Sequence, residues 1–184
     1  FGVCMDQIFN QGGKMRYMFG GKAKVPMVIR TLYGAGFRAA AQHSAVLYSV
    51  FVHMPGLKVV APSTPYNAKG LLAAASRDDD PVSYLEHLAL LGTSGEVPEE
   101  SYVVPLGKAE IARQGKDVTV VAIGRMRLMA LQAAEELAQA GIDVEVVDPL
   151  SLSPLDESTI LESVKKTHRL VAVDEGNPRC SLAS

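Results

Sequence analysis

The sequence predicts an α/β fold, and three observations carry the prediction. Short apolar runs of strand length recur along the chain, segments of helical period lie between them, and glycine, proline and hydroxyl or carboxylate residues stand at the junctions. Strand and helix alternating in this way build parallel βαβ units with right-handed crossovers. The interval from His87 to Val104 has neither period. It carries Gly92, Gly95, Pro98 and the glutamates Glu96, Glu99 and Glu100, and it marks the boundary between two units.

In chain order, Val3, Met5, Ile8 and Phe9 fall between Asp6, Gln7 and Asn10 in an amphipathic pattern that predicts a helix over residues 3 to 18. Gly12 and Gly13 weaken it, and Gly20 and Gly21 suit a left-handed cap at its end. Lys14 and Arg16 sit where the helix dipole favours cations. Met15, Tyr17, Met18 and Phe19 serve either a core or a binding surface, with the core preferred. Val25 to Thr31 reads as a strand, as does Leu57 to Ala61. Ser63-Thr64-Pro65 reads as a helix start, a hydroxyl cap followed by proline in the first turn, with Leu71, Leu72 and Ala75 facing inward. Asp78, Asp79 and Asp80 end that helix before a strand at Val82 to Leu85. Three successive aspartates are more often a solvated turn than a cation site, although hard cations do choose oxygen ligands.

Beyond the boundary, Lys108 to Arg113 and Asp117 to Ile123 read as strands, the second apolar enough for the centre of a parallel sheet. Leu128, Leu131, Ala134, Leu137 and Ala138 share one face of a helix closed by Gly141. Val144 to Val147 is the next strand, Asp156 caps a helix containing Ile160, Leu161 and Val164, and Leu170 to Val173 is the last. Gly124-Arg125 offers an anion a place at a helix start, but no G-x-G-x-x-G pattern is present, which argues against dinucleotide binding.

The stretch from Tyr33 to Ser63 is the richest in chemistry. Gly34 and Gly36 open a loop where a ligand can approach the backbone, and His43 stands just ahead of an apolar segment. With Ser44 or His43 as the cap, the imidazole would lie beside free N–H groups at a helix N-terminus, a setting for a neutral ring and an anionic substrate. The plainer alternative is a hydrogen-bonded structural histidine.

Composition excludes several classes. A net charge of −2 over 184 residues supplies no basic field for nucleic acid. No apolar run approaches the ~20 residues needed to cross a bilayer. Cys4 and Cys180 have no metal-ligand or redox spacing and read as reduced thiols of a cytoplasmic protein. The start on Phe1 and the stop at Ser184 soon after a strand suggest a piece of a longer chain.

AAAQHS followed by PGLKVVAPS resembles the β subunit of thiamine-diphosphate-dependent 2-oxo acid dehydrogenase first components. The likeness continues in order through MDQIFNQ, AKGLL, RDDDP, LGKAEI with RQGKDVTVVAIGRM, SPLD with TILESVKKT, and RLVAVDEGNPRCS. GRM and DEGNPRCS look more like the acetoin dehydrogenase branch than the pyruvate or branched-chain branches.

This resemblance implies two open, mostly parallel sheets flanked by helices. Residues 1–90 would be the later part of a pyrimidine-binding domain, 91–104 a linker, and 105–184 a shortened transketolase-type C-terminal domain. It implies thiamine diphosphate with magnesium held mainly by an α subunit, an αβ heterotetramer with a second β subunit, and acyl transfer to a lipoyl-bearing acyltransferase. The substrate would be acetoin, pyruvate or a branched-chain 2-oxo acid. His43 takes the place of the family's catalytic histidine, and Phe1 stands at or next to an aromatic position against the aminopyrimidine. The glutamate that activates the cofactor falls upstream of Phe1. A structural potassium ion of some members would lie on Met27, Ala75, Ser76, Asp78 and Asp80, mainly through backbone oxygens.

Overall fold

The computed structural model describes residues 2–184; Phe1, expected beside a cofactor, lies outside the described residues. A helical segment opens the chain. It passes through a 3-10 turn at Gly2–Cys4 and a wide π turn at Gln7–Gly12 into α1 (Gly13–Met18). Gly12 and Gly13 are both helical, and Gly20 and Gly21 take positive φ as the sequence predicts. Met15, Tyr17, Met18 and Phe19 are exposed, so within this chain they are not core.

β1 (Val28–Tyr33) follows, starting later than the apolar run suggests, because Val25 is spent bonding the carbonyl of Asp79. The glycine loop leads to a 3-10 turn at Ala41–His43 and then to α2 (Tyr48–Val52). Next come β2 (Lys58–Val60), α3 (Pro65–Ala75) and β3 (Val82–His87). Thr64 caps α3 by accepting a hydrogen bond from the Asn67 N–H at 3.0 Å, and Pro65 occupies the first turn. Leu71 and Ala75 are buried beneath it.

The second half contributes β4 (Glu110–Arg113), β5 (Val118–Ala122), α4 (Arg125–Gln139), β6 (Val144–Asp148), β7 (Ser151–Ser153), α5 (Glu157–Thr167) and β8 (Leu170–Val173). Asp156 caps α5, holding the Thr159 N–H at 3.3 Å, the Ala109 N–H at 3.1 Å and two hydroxyls. These hydrogen bonds, led by Ser158, keep its carboxyl well below the usual carboxylate range.

Among the described residues the strands form two four-stranded sheets, ordered β1-β3-β2-β7 and β4-β6-β5-β8. β1, β3 and β2 are mutually parallel, as are β6, β5 and β8. The two antiparallel members are β7 on β2 and β4 on β6. β7 is a strand that the sequence does not announce. It comes from the second half yet extends the sheet of the first, so Leu150 and Leu152 enter the cores built around Leu71 and Phe51. A third core lies between α4 and β6, with Ala134 and Val146 fully buried.

This topology sends the C-terminal ends of each parallel set of strands to one edge of its sheet. In the first sheet those ends lead into Tyr33, Ser63 and His87; in the second, into Gly124, Asp148 and Glu175. Hydrogen bonds and ion pairs join the two edges. The Gly124 N–H donates to Ser63 Oγ at 3.1 Å, and the Asn67 side-chain amide donates to Glu110 at 3.1 Å. The crevice at the carboxyl ends of parallel strands is where open α/β sheets place their sites.

Candidate active site

His43 ends the 3-10 turn on the loop after β1, and its side chain is exposed. Its backbone N–H bonds the Ala40 carbonyl; no hydrogen bond to the ring is found among the described residues. The sequence-based account of its setting needs one correction. The following helix starts at Tyr48 with Leu47 as its cap, while Ser44 Oγ turns back to accept the Ala39 N–H at 3.1 Å. His43 thus lies four residues ahead of Leu47, outside the first turn of that helix.

What the loop does provide is access. His43 lines a cleft of about 680 Å³ whose walls include Tyr33, Phe37, Leu47, Phe51, Leu85 and Leu88, with Gln42 among the polar groups. Apolar walls of this kind fit a planar heteroaromatic ring. The lining holds no carboxylate and no basic side chain besides His43, so a diphosphate with its magnesium finds no ligands in it. A planar ring fits this surface; a diphosphate does not.

Behind the loop lies a buried cluster that sequence reasoning missed. His87, at the end of β3, is nearly inaccessible, and its Nε2 lies 2.5 Å from Glu175 Oε2 of the second half. His87 Nδ1 accepts the Ala89 N–H at 3.1 Å, which leaves the ring proton on Nε2, donated to Glu175. Arg125 Nη1 lies 3.6 Å from the other Glu175 oxygen. Tyr33 packs edge-on against the His87 ring, with centroids 5.0 Å apart, and burial pushes its phenol well above the ordinary range, the charges of Asp148, Glu175 and Asp174 adding to the effect. One signal was available: His87 and Glu175 both stand at the carboxyl ends of predicted strands, where sites collect.

Asp148 is the other buried acid at this seam. Burial pushes its carboxyl up to about 7, against the opposing pull of a hydrogen bond from Ser63 and the charge of Arg127. Arg127 Nε sits 3.3 Å from Asp148 Oδ2 without hydrogen-bond geometry, and Arg127 Nη2 also reaches Glu110 at 3.0 Å. Gly124-Arg125, considered above for anion binding, is occupied by Ser63 and Glu175 instead.

Met27, Ala75, Ser76, Asp78 and Asp80 are tied together around the turn before β3. The Met27 carbonyl accepts the Val82 N–H at 2.9 Å, the Ala75 carbonyl accepts the Asp78 N–H at 3.3 Å, and the Ser76 hydroxyl donates to Leu72. Lys58 Nζ holds both Asp78 oxygens at 2.7 Å, Arg16 holds Asp80 at 2.7 Å, and Lys24 holds Asp79 at 2.9 Å. Burial raises the Asp80 carboxyl, but the Arg16 hydrogen bond and the nearby Lys58 and Arg16 charges outweigh it and hold the group below its ordinary value. Each aspartate therefore has its own cation, and an added ion would rely on carbonyl oxygens. Among the described residues no three His, Cys, Asp or Glu side chains form a metal cluster.

Comparison with known proteins assigns each half of the chain to a family. Residues 1–93 match the family described as transketolase, pyrimidine binding domain, and residues 107–184 the family described as transketolase, C-terminal domain. The acetoin:2,6-dichlorophenolindophenol oxidoreductase β subunits of Cupriavidus necator and Bacillus subtilis are 61% and 58% identical over 183 residues, 100% of this chain and 54% of each relative. The pyruvate dehydrogenase E1 component β subunit of Rhizobium meliloti is 49% identical over 98% of this chain and 40% of its own length. The chain thus spans about half the length of the curated relatives it matches. Among solved structures, a split-gene transketolase described as an inactive β4 tetramer superposes with a TM-score of 0.74 at 26% identity, covering 95% of this chain and 56% of the other.

Proposed function

The chain belongs to the family built from transketolase-type pyrimidine-binding and C-terminal domains, and from that premise we propose that it is part of the β subunit of a thiamine-diphosphate-dependent dehydrogenase that cleaves acetoin. The observation that carries this reading is the exposed His43 ring lining an apolar cleft of about 680 Å³. The share of identity, higher to the acetoin oxidoreductase β subunits than to the pyruvate dehydrogenase β subunit, supports acetoin over pyruvate or a branched-chain 2-oxo acid.

Thiamine diphosphate, when bound, would supply the carbanion and electron-sink chemistry needed to cleave a carbon–carbon bond beside a carbonyl. The chain's own contribution is the wall for the pyrimidine and an imidazole at its mouth. Phe37, Leu47 and Leu85 exclude water from that wall. His43 holds or donates a proton at an oxygen of the reacting carbonyl, work suited to an imidazole, which can both donate and accept a proton. Magnesium and the diphosphate would be held by an α subunit, and Phe1 would extend the pyrimidine wall. We place the working unit as a cytoplasmic αβ heterotetramer with a second β subunit, passing its acyl product to a lipoyl-bearing acyltransferase. A structural potassium ion would sit on the carbonyls of the turn holding Met27, Ala75, Ser76, Asp78 and Asp80.

The test is His43→Ala in the full β subunit, assembled with its α subunit and assayed with acetoin, pyruvate and 2-oxoisovalerate. Acetoin should be the preferred substrate, and kcat should fall about 10²-fold or more with assembly intact, the usual weight of one acid–base group. Unchanged turnover would remove His43 from the chemistry.

A further inference from the structure

Glu175 follows β8 in the second half, and its side chain is only 12% exposed. One oxygen lies 2.5 Å from His87 of the first half and the other 3.6 Å from Arg125 of the second. The backbone of the His43 loop rests directly on both of those partners. A Cβ built on Gly34 would lie 2.7 Å from His87 Cε1 and Nε2, and one on Gly36 would lie 2.8 Å from Arg125 Nη1. Both glycines hold positive φ, at 131° and 76°, so the loop takes a course that brings its backbone against the two side chains.

The loop transmits that contact to His43. Gly34 donates its N–H to the Ala45 carbonyl at 3.2 Å, closing a ring of backbone from two residues past the catalytic imidazole to the point of contact with His87. Asp174, the neighbour of Glu175, grips the far side: its carboxylate accepts from the Tyr48 hydroxyl at the start of α2 and from the Leu182 N–H at 2.9 Å. Two consecutive acids of the second half therefore hold the segment before His43 and the segment after it. We infer that Glu175 is a positioning residue for His43, acting by fixing His87 and Arg125 as the floor on which the His43 loop lies.

The inference rests on the catalytic reading of His43, and its test separates the two. In the full β subunit alone, trypsin cleavage after the exposed Arg38 reports loop order independently of turnover, while kcat and KM are read in the assembled αβ complex. Glu175→Ala is expected to speed that cleavage about fivefold or more and to lower kcat about tenfold with KM within about twofold. Glu175→Gln keeps an acceptor for His87 and loses the charge facing Arg125, so it should fall between wild type and Glu175→Ala. Glu175→Ala combined with His43→Ala should be no slower than His43→Ala alone, because one residue acts through the other.

Arg38 cleavage at the wild-type rate, or losses that multiply in the double variant, would overturn the inference. If His43→Ala by itself leaves turnover intact, the catalytic reading falls while Arg38 cleavage still decides whether Glu175 orders the loop. If Glu175→Ala does not assemble, Glu175→Gln decides: faster Arg38 cleavage supports the inference, and wild-type cleavage overturns it.

Discussion

Asp148 and Arg127 face each other in a fully buried seam, and the balance there is set by solvation more than by attraction. Asp148 has no accessible surface, and taking a carboxylate out of water raises its pKa to about 7 even with Arg127 Nε at 3.3 Å. The consequence for stability has a definite sign. Between the ordinary carboxylate value of 3.8 and about 7, the folded chain keeps a proton that the unfolded chain has released. Stability from this residue therefore falls as pH rises through that window. Asp148→Asn removes the titration. Denaturant midpoints measured from pH 4 to 7 should show a flatter profile for the variant than for wild type, whatever its absolute stability. An unchanged slope would mean that Asp148 is already ionised at pH 4. None of this was legible in the sequence, where Asp148 is one residue past an apolar strand; its character comes from complete burial, against which Ser63 and Arg127 pull, and only the fold supplies all three.

At the scale of elements, what local chemistry dictates was legible and what distant contacts dictate was not. Thr64 with Pro65 and Asp156 before Glu157 are complete helix starts within a few residues, and both form as read. The apolar face of α3 follows from its spacing, and Leu71 is fully buried. Leu71→Ala should accordingly cost about 2–5 kcal/mol in unfolding free energy, against about 1 kcal/mol for Thr64→Ala, which loses only a cap. A smaller cost for Leu71→Ala than for Thr64→Ala would contradict the core assigned here. β7 escaped notice because three residues carry no period, and its partner β2 lies about 90 positions upstream. The helix after His43 was misplaced because Ser44 has the residue type of a cap but is taken by Ala39. His87 and Glu175 were passed over for a related reason: a lone histidine and a lone acid at strand ends look like turn residues until the fold pairs them at 2.5 Å.

Over the whole molecule, two sheets from opposite halves turn the carboxyl ends of their parallel strands toward a shared seam, and the loop bearing His43 lies over it. Strand β7 crosses from one half to the other, so the halves share core as well as polar contacts. The cleft beside His43 offers walls for a ring and nothing for a diphosphate, so the chemistry proposed here draws its diphosphate ligands from outside this cleft. That requirement can be measured at the imidazole itself. Carbethoxylation of His43 by diethylpyrocarbonate, followed by peptide mass spectrometry, should be rapid in the full β subunit alone and slowed about tenfold or more once the α subunit and thiamine diphosphate are bound. Equal rates in both states would contradict the account, because they would show that neither partner nor cofactor reaches the cleft that His43 lines.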